Sequence, residues 1–304
     1  MEGYWEALSA SPMTPRLSSS RPKNAFCIFL DGNDDRYYSS TRMAIYQLLH
    51  SSDTRAQSEV DFVVLVSETV DSARRERLEA DGAVVIEADN ISARKENLWI
   101  TPGRSRWVHV VDKMHAFKLI QYERVLLLDS DTIVLKPLDG IFNSSEAAIL
   151  DNKAIMSNIK ADEAPQPARY LMAGNSGPFS TLHDYPSERG SKINAGFVLL
   201  QPSIELYNYH LSIMAIEGRF NPSSPEQNMW NWAHRLDGNM PWVQVDPDWT
   251  TNCPNYEDYE HGIRSFHEKW WISDRSNELM DLMRQSRFRM EGYWLGIQDM
   301  KLSR

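Results

Sequence analysis

Two aspartates one residue apart are the side chains of this chain best placed to do chemistry. They fall in Arg124-Val125-Leu126-Leu127-Leu128-Asp129-Ser130-Asp131-Thr132-Ile133-Val134, where one apolar run ends on acids and another begins. Burying an unpaired charge is costly, so two carboxylates at the end of a buried strand call for a partner. A divalent cation is such a partner. Hard carboxylate oxygens suit Mg²⁺ or Mn²⁺, and a diphosphate can supply further oxygens. The pattern points to a metal–diphosphate site. The alternative for an Asp-x-Asp is a capped turn beside a solvated acid, so the surroundings must decide.

The elements around the acids follow from apolar periodicity. Asn24–Leu30, Val60–Val66 and Ala83–Glu87 read as strands, with helices over Ser39–His50 and Asp71–Gly82 between them. This alternation predicts an α/β fold with a mostly parallel central sheet flanked by helices. Ligands in such folds bind at the carboxyl ends of the strands. The turn after Leu30 (Asp31-Gly32-Asn33-Asp34-Asp35) and the acids after Leu128 are two such ends. One crevice is therefore expected to gather Asn33, Tyr37, Tyr38, Asp129 and Asp131.

The long connection from Asn90 to His109 carries Arg104 and Arg106, and connections of this length are often functional. A helix is expected over Val111–Gln121, with Val111, Met114, Phe117 and Ile120 on its apolar face and Lys113 on its polar side. Residues 151–190 are rich in Pro and Asn and read as an irregular excursion or flap. A strand is expected within Asn194–Pro202, then helices near Ser203–Glu217 and Pro225–Leu236, and a last helix over Asp274–Glu291. Residues 1–23 read as a flexible lead-in, and 24–304 as one domain.

Composition excludes several classes. The formal net charge of −10 provides no basic surplus for nucleic acid. Cys27 and Cys253 form neither a disulfide framework nor a zinc pattern, and Cys27 sits in an apolar run. No apolar stretch reaches the roughly 18 residues of a membrane span. Met1–Lys23 lacks the apolar core of a signal peptide, so a cytoplasmic protein is expected, with the Golgi lumen as the alternative should an anchor precede this chain.

The blocks around these residues resemble glycosyltransferase family 8, and within it glycogenin and related fungal and bacterial sugar transferases. The first block is Asp112-Lys113-Met114-His115-Ala116-Phe117-Lys118-Leu119-Ile120-Gln121-Tyr122-Glu123 running into Leu128-Asp129-Ser130-Asp131-Thr132. The second is Asn194-Ala195-Gly196, Gln201-Pro202-Ser203, Glu217-Gly218-Arg219-Phe220 and Glu226-Gln227. The third is Ile263-Arg264-Ser265-Phe266-His267-Glu268-Lys269-Trp270. The blocks occur in family order across most of residues 24–272.

The resemblance implies a GT-A fold, a nucleotide-sugar donor, a Mn²⁺-type cation and retention of anomeric configuration. It implies that Asp129, Asp131 and His267 hold the metal, with Ser130 beside the donor. It matches Lys269 to a lysine on the donor diphosphate and Lys113 to a donor contact. Arg104, or Arg106, would neutralise phosphate. Leu30 and Asn33 match nucleoside contacts, and Tyr37, or Tyr38, would stack on the base. Asn194 and Gly196 match the sugar-contacting turn. Glu226 stands where the family commonly has Asp and would bind sugar hydroxyls, with Gln227 near the reacting carbon. One departure is that only Glu268 separates His267 from Lys269, where the family usually has more residues.

The expected function is a metal-dependent retaining transferase moving a hexose from UDP-glucose, UDP-galactose or UDP-GlcNAc. The acceptor class (glycan, protein or small molecule) stays open. Two rivals remain. A sugar-phosphate nucleotidyltransferase would need a basic, Gly-rich first turn, whereas this turn is acidic. A non-catalytic nucleotide-sugar-binding protein of the same fold would keep the site and lack turnover.

Overall fold

Strict alternation along the strands builds two apolar layers. The computed structural model of the chain describes residues 23–272 and 275–302; residues 1–22 of the expected lead-in lie outside them. The strands are β1 (Asn24–Leu30), β2 (Val60–Val66), β3 (Val84–Glu87), β4 (Arg124–Leu128), β5 (Thr132–Val134), β6 (Leu150–Asp151), β7 (Arg169–Tyr170), β8 (Met172–Gly174), β9 (Phe197–Leu200), β10 (Val243–Gln244), β11 (Thr251–Asn252) and β12 (Ser265–His267). The central sheet has the order β10-β8-β9-β4-β1-β2-β3. β3, β2, β1 and β4 run parallel, and β9 is antiparallel to both β4 and β8. Successive side chains of a strand face opposite sides. Ala25, Cys27, Phe29, Val125 and Leu127 therefore enter one buried cluster, and Phe26, Ile28, Leu30, Leu126 and Leu128 the other.

Helices cover both faces. The helices are α1 (Asp35–Ile45), α2 (Ser72–Ala80), α3 (Ile204–Met214), α4 (Pro225–Ala233), α5 (Tyr256–Glu260) and α6 (Asn277–Leu302). Residues of α3 and α4 join the first cluster; Ala44 and Ile45 of α1 and Leu78 of α2 join the second. A smaller sheet, β11-β12-β5, lies at the end of β4, and α6 packs Met280 and Met283 against its Ile133 and Phe266.

Several expected boundaries move. α1 begins at Asp35, four residues before Ser39, because the Asp34 carboxylate caps it by accepting from Arg36 N. A π-helical turn over Tyr46–His50 carries it to the expected end. The helix expected at Val111–Gln121 is a 3-10 helix over Val110–Lys118. Val111, Met114 and Phe117 recur every third residue, which is its period. Ile120 lies beyond it and is exposed. This helix is buried throughout Val111–Phe117, so it has no polar side and Lys113 is buried. The expected flap contributes β8 to the central sheet, a strand of three residues and too short to show a period. The last helix continues past Glu291 through Gly292 to Leu302, because Met290 and Trp294 still bury their side chains.

Candidate active site

The apolar core of β4 brings its acids to the sheet's carboxyl edge. The Asp129 N–H donates to Gly196 O at 2.9 Å, and Thr132 N closes a turn on Asp129 O at 3.1 Å. The chain then enters β5, which pairs antiparallel with β12, placing His267 opposite Thr132. Glu268 N–H donates to Asp131 O at 3.0 Å and locks the two segments together. His267 Nε2 consequently lies 3.3 Å from Asp129 Oδ2 and 3.2 Å from Asp131 Oδ1.

The short spacing between His267 and Lys269 has a simple explanation. Residues two apart in extended chain share a face. Lys269 Nζ reaches Asp131 Oδ2 at 2.5 Å, while the intervening Glu268 turns away to Arg275, also at 2.5 Å. On the other side, Lys113 Nζ donates to Asp129 Oδ1 and lies 3.4 Å from Glu226 Oε1. Glu226 stands in the first turn of α4 behind Pro225, a preferred first helical residue, and the helix dipole favours an acid there.

These groups tune one another. Burial opposes charge on His267, but Asp131 and Asp129 outweigh it and hold its pKa up to about 9. Burial likewise opposes the charge of Lys113, which Asp129 and Glu226 restore, holding its pKa above the usual lysine value. Asp131, though buried, is held well below the usual carboxylate range by His267 and Lys269. Glu226 moves the other way: burial raises it, and Lys113 only partly compensates.

A cavity of about 420 Å³ opens over this cluster. It gathers Leu30, Tyr37, Lys113, Asp129, Ser130, Asp131, Asn194, Gly196, Glu226, Gln227, His267 and Lys269. Three of the residues read from sequence, Asn33, Arg104 and Tyr38, lie apart from its lining. Asn33 turns to the next loop, donating to Thr69 O at 2.9 Å and accepting from Asp71 N at 3.2 Å. Asp31 and Asp34 line the cavity in its place. Arg104 lies over the Trp107 ring, and it is Arg106 that lines the cavity. Of the two tyrosines, Tyr37 faces the cavity and packs edge-on to Trp271, whereas Tyr38 is half-buried against the core under Arg74. Gln227 Oε1 accepts from Ala195 N at 3.2 Å, which fixes the carbonyl end of its amide on the backbone.

Gly196 is required by space. A Cβ there would lie 2.2 Å from His267 Cε1. Sequence reasoning did not find Asn252. It lies beside His267 in register across β11 and β12, and its Oδ1 is 3.1 Å from His267 Nδ1. Only the pairing of a two-residue strand brings it there, a contact with no local signal.

The donor set fits a hard divalent cation. One ligand atom each from Asp129, Asp131 and His267 lies within 4.8 Å of the others. Asn252 Oδ1 can only accept, so it keeps a proton on Nδ1 and leaves Nε2, which faces the acids, as the nitrogen a cation would take in place of its proton.

Comparison with known proteins agrees with this architecture. The galactosyltransferase LgtC, solved in complex with donor and acceptor sugar analogs, superposes with a TM-score of 0.59 at 12% identity, covering 87% of this chain and 95% of that one. The fold is thus GT-A, a glycosyltransferase architecture. No family profile matches the chain. An uncharacterised protein of Schizosaccharomyces pombe is 28% identical over 269 residues, 80% of this chain and 70% of that protein. Galactinol synthase 6 of Arabidopsis thaliana is 23% identical, covering 66% of this chain and 57% of the synthase. Glycogenin-1 of Mus musculus is 26% identical, covering 52% of this chain and 38% of glycogenin-1. These likenesses support the resemblance to glycogenin-like glycosyltransferases carried by the sequence blocks.

Proposed function

We propose that this chain is a metal-dependent retaining glycosyltransferase that moves a hexose from a UDP-sugar to a hydroxyl acceptor. One observation carries the reading: Asp129, Asp131 and His267 converge with Lys113 and Lys269 at one end of a cavity whose wall includes Glu226 and Gln227. The three ligands would hold Mn²⁺ or Mg²⁺, which on binding supplies Lewis-acid stabilisation of the leaving diphosphate.

The chain's own groups do the rest. Lys269 and Arg106 supply positive charge for the phosphates. Tyr37 and Leu30 offer the base an aromatic and an apolar contact. Glu226, already paired with Lys113, accepts hydrogen bonds from the donor sugar's hydroxyls. Gln227, fixed through Ala195, orients the reacting carbon. No carboxylate is assigned as nucleophile; the acceptor attacks on the face the diphosphate leaves, which retains configuration. Residues 24–304 are read as one catalytic domain.

The nucleotidyltransferase alternative fits less well, because Asp31 and Asp34 line the cavity at the first turn and would repel a triphosphate. The test is release of UDP from UDP-glucose, UDP-galactose, UDP-GlcNAc and UDP-xylose with Mn²⁺, beside Asp131→Ala. Turnover of one donor that falls at least a hundredfold in the variant supports the proposal. Mn²⁺-dependent UDP binding with no turnover under any acceptor supplied favours the non-catalytic reading.

A further inference from the structure

We propose that Asp112 is a positioning residue: it staples both ends of the 90–109 connection to the buried 3-10 helix, and so holds Arg106 at the place of the donor diphosphate. The inference rests on the reading of Arg106 as a phosphate contact.

Asp112 occupies a core position. It stands between Val111 and Lys113 in the enclosed helix Val110–Lys118 and is 1% exposed. A carboxylate there costs stability unless its oxygens are hydrogen-bonded. No lysine or arginine forms a salt bridge with it among the described residues. Burial pushes its pKa up to about 7, and the N–H groups of Ile91 and Ser92 oppose that rise. The partners of this acid are thus the backbone groups of the connection.

Its contacts reach both ends. Oδ1 accepts from Ile91 N at 2.8 Å, and Oδ2 stands 3.8 Å from His109 Nδ1. The Asp112 N–H donates to His109 O at 2.9 Å. Two more bonds reinforce the base of the connection. Ser92 Oγ donates to Val108 O at 2.5 Å, and His115, on the same helix, donates from Nε2 to Asp89 O at 2.9 Å.

Arg106 depends on that base. It lines the cavity with Trp107, whereas Asp112 lies behind the lining. Arg106 makes no salt bridge among the described residues and lies over the Trp107 ring, 5.7 Å from its centroid. The backbone of the connection therefore sets its place. Before Arg106 that backbone is tied by Trp99 Nε1 to Met214 O at 2.8 Å and by Gly103 N to Ser223 O at 2.9 Å. After Arg106 it is tied at Val108 and His109, where Ser92 and Asp112 hold it. Without Asp112 the second anchor is loose, and the guanidinium loses its fixed aim at the phosphates.

A positioning role and a general role in the core make different predictions. Acting through Arg106, Asp112 matters to a ligand with phosphates and not to a bare nucleoside. A disturbed core weakens both ligands alike. The experiment titrates the full chain calorimetrically with UDP and with uridine, both at saturating Mn²⁺, for wild type, Asp112→Ala, Arg106→Ala and the double variant. Thermal unfolding checks the fold, and Asp112→Asn, which keeps an acceptor for the Ile91 N–H, replaces Asp112→Ala should that variant fail to fold. The expected result is UDP bound at least tenfold more weakly by Asp112→Ala, with uridine within twofold of wild type. In the Arg106→Ala background the same substitution costs at most twofold, because the group it positions is already gone. Uridine weakened as much as UDP, UDP affinity unchanged in Asp112→Ala, or a tenfold loss that persists without Arg106 each overturns this inference. Unchanged UDP affinity in Arg106→Ala overturns the phosphate reading of Arg106, and this inference with it, while Mn²⁺-dependent UDP binding by wild type stands. Wild type that binds no UDP even with Mn²⁺ overturns the proposed function and this inference together.

Discussion

His267 and His234 share a hydrogen-bonding plan. Each places Nδ1 on an oxygen that can only accept, Asn252 Oδ1 at 3.1 Å and Met240 O at 2.8 Å, and each aims Nε2 at a partner. The partners differ. His267 meets two carboxylates at the end of β4, which hold its pKa up to about 9. His234 meets the Nε2 of His210 at 2.9 Å, in a layer filled by Phe117, Tyr170 and Trp230. There burial dominates: it lowers the pKa of His234 to about 4 and that of His210 well below its ordinary value. The Met240 carbonyl fixes the proton order, since His234 Nδ1–H donates to it and leaves Nε2 to accept from His210. Burial alone does not decide the charge of a histidine here; what faces Nε2 does. One region is built to hold charge, the other to exclude it.

The largest effect that would sharpen the contrast is in the apolar region. Trp230 is fully buried beside Phe117. Trp230→Ala is expected to cost about 3–5 kcal/mol of stability. Measured by urea unfolding, this loss should come with unchanged Mn²⁺-dependent UDP binding below the transition. A variant that keeps its stability and loses UDP binding would break the division between the regions.

Gly196→Ala should do the reverse. Its Cβ would lie 2.2 Å from Cε1 of His267, so the ring must leave its place beside the acids. Displacing one of the three proposed protein ligands is expected to weaken Mn²⁺ binding in the presence of UDP by roughly a hundredfold, at the top of the range for disturbed metal sites. Calorimetric titration reads it, and unchanged affinity would show that His267 is not a ligand.

How much of this could be read in the sequence depends on how local each signal was. β1, β2 and β4 were legible because apolar runs of five to seven residues carry their own period, and Asp129 and Asp131 because the acids interrupt such a run. His267 entered through a resemblance alone; its place beside Asp131 is made by the pairing of two three-residue strands far apart in sequence, with His267 opposite Thr132. The burial of Lys113 was hidden, because a 3-10 helix enclosed on all sides has no solvent face to read. Asn33 and Arg104 show the limit of matching within loops. Their neighbours Asp34 and Arg106 line the cavity instead, since a turn sets which side chain points inward.

Acid should weaken the apolar region. The folded pKa of His234 is depressed, so between pH 6.5 and about 4 the unfolded chain binds more protons than the folded one, and stability falls as pH falls. At pH 5 this histidine alone is expected to cost about 2 kcal/mol relative to pH 7. Urea unfolding of wild type and His234→Gln at both pH values isolates the effect, because the shared carboxylates cancel in the comparison. Equal losses in the two proteins would mean that His234 is not the group responsible.

The smallest expected effect tests whether the shared hydrogen-bonding plan matters at all. Asn252→Ala removes the acceptor from His267 Nδ1 and leaves every proposed metal ligand in the chain. The ring then lacks the contact that selects its tautomer, and such outer partners typically contribute about tenfold to a hundredfold in metal affinity. We expect the lower end, because Gly196 on one side and the carboxylates on the other still confine the ring. Asn252→Asp should separate orientation from charge. It keeps the acceptor and adds a negative charge beside the site, so Mn²⁺ binding is expected to recover to wild type or above. Loss in both variants would mean that the Asn252 side chain supports the β11–β12 pairing itself, and that the tautomer of His267 is set by the acids it faces.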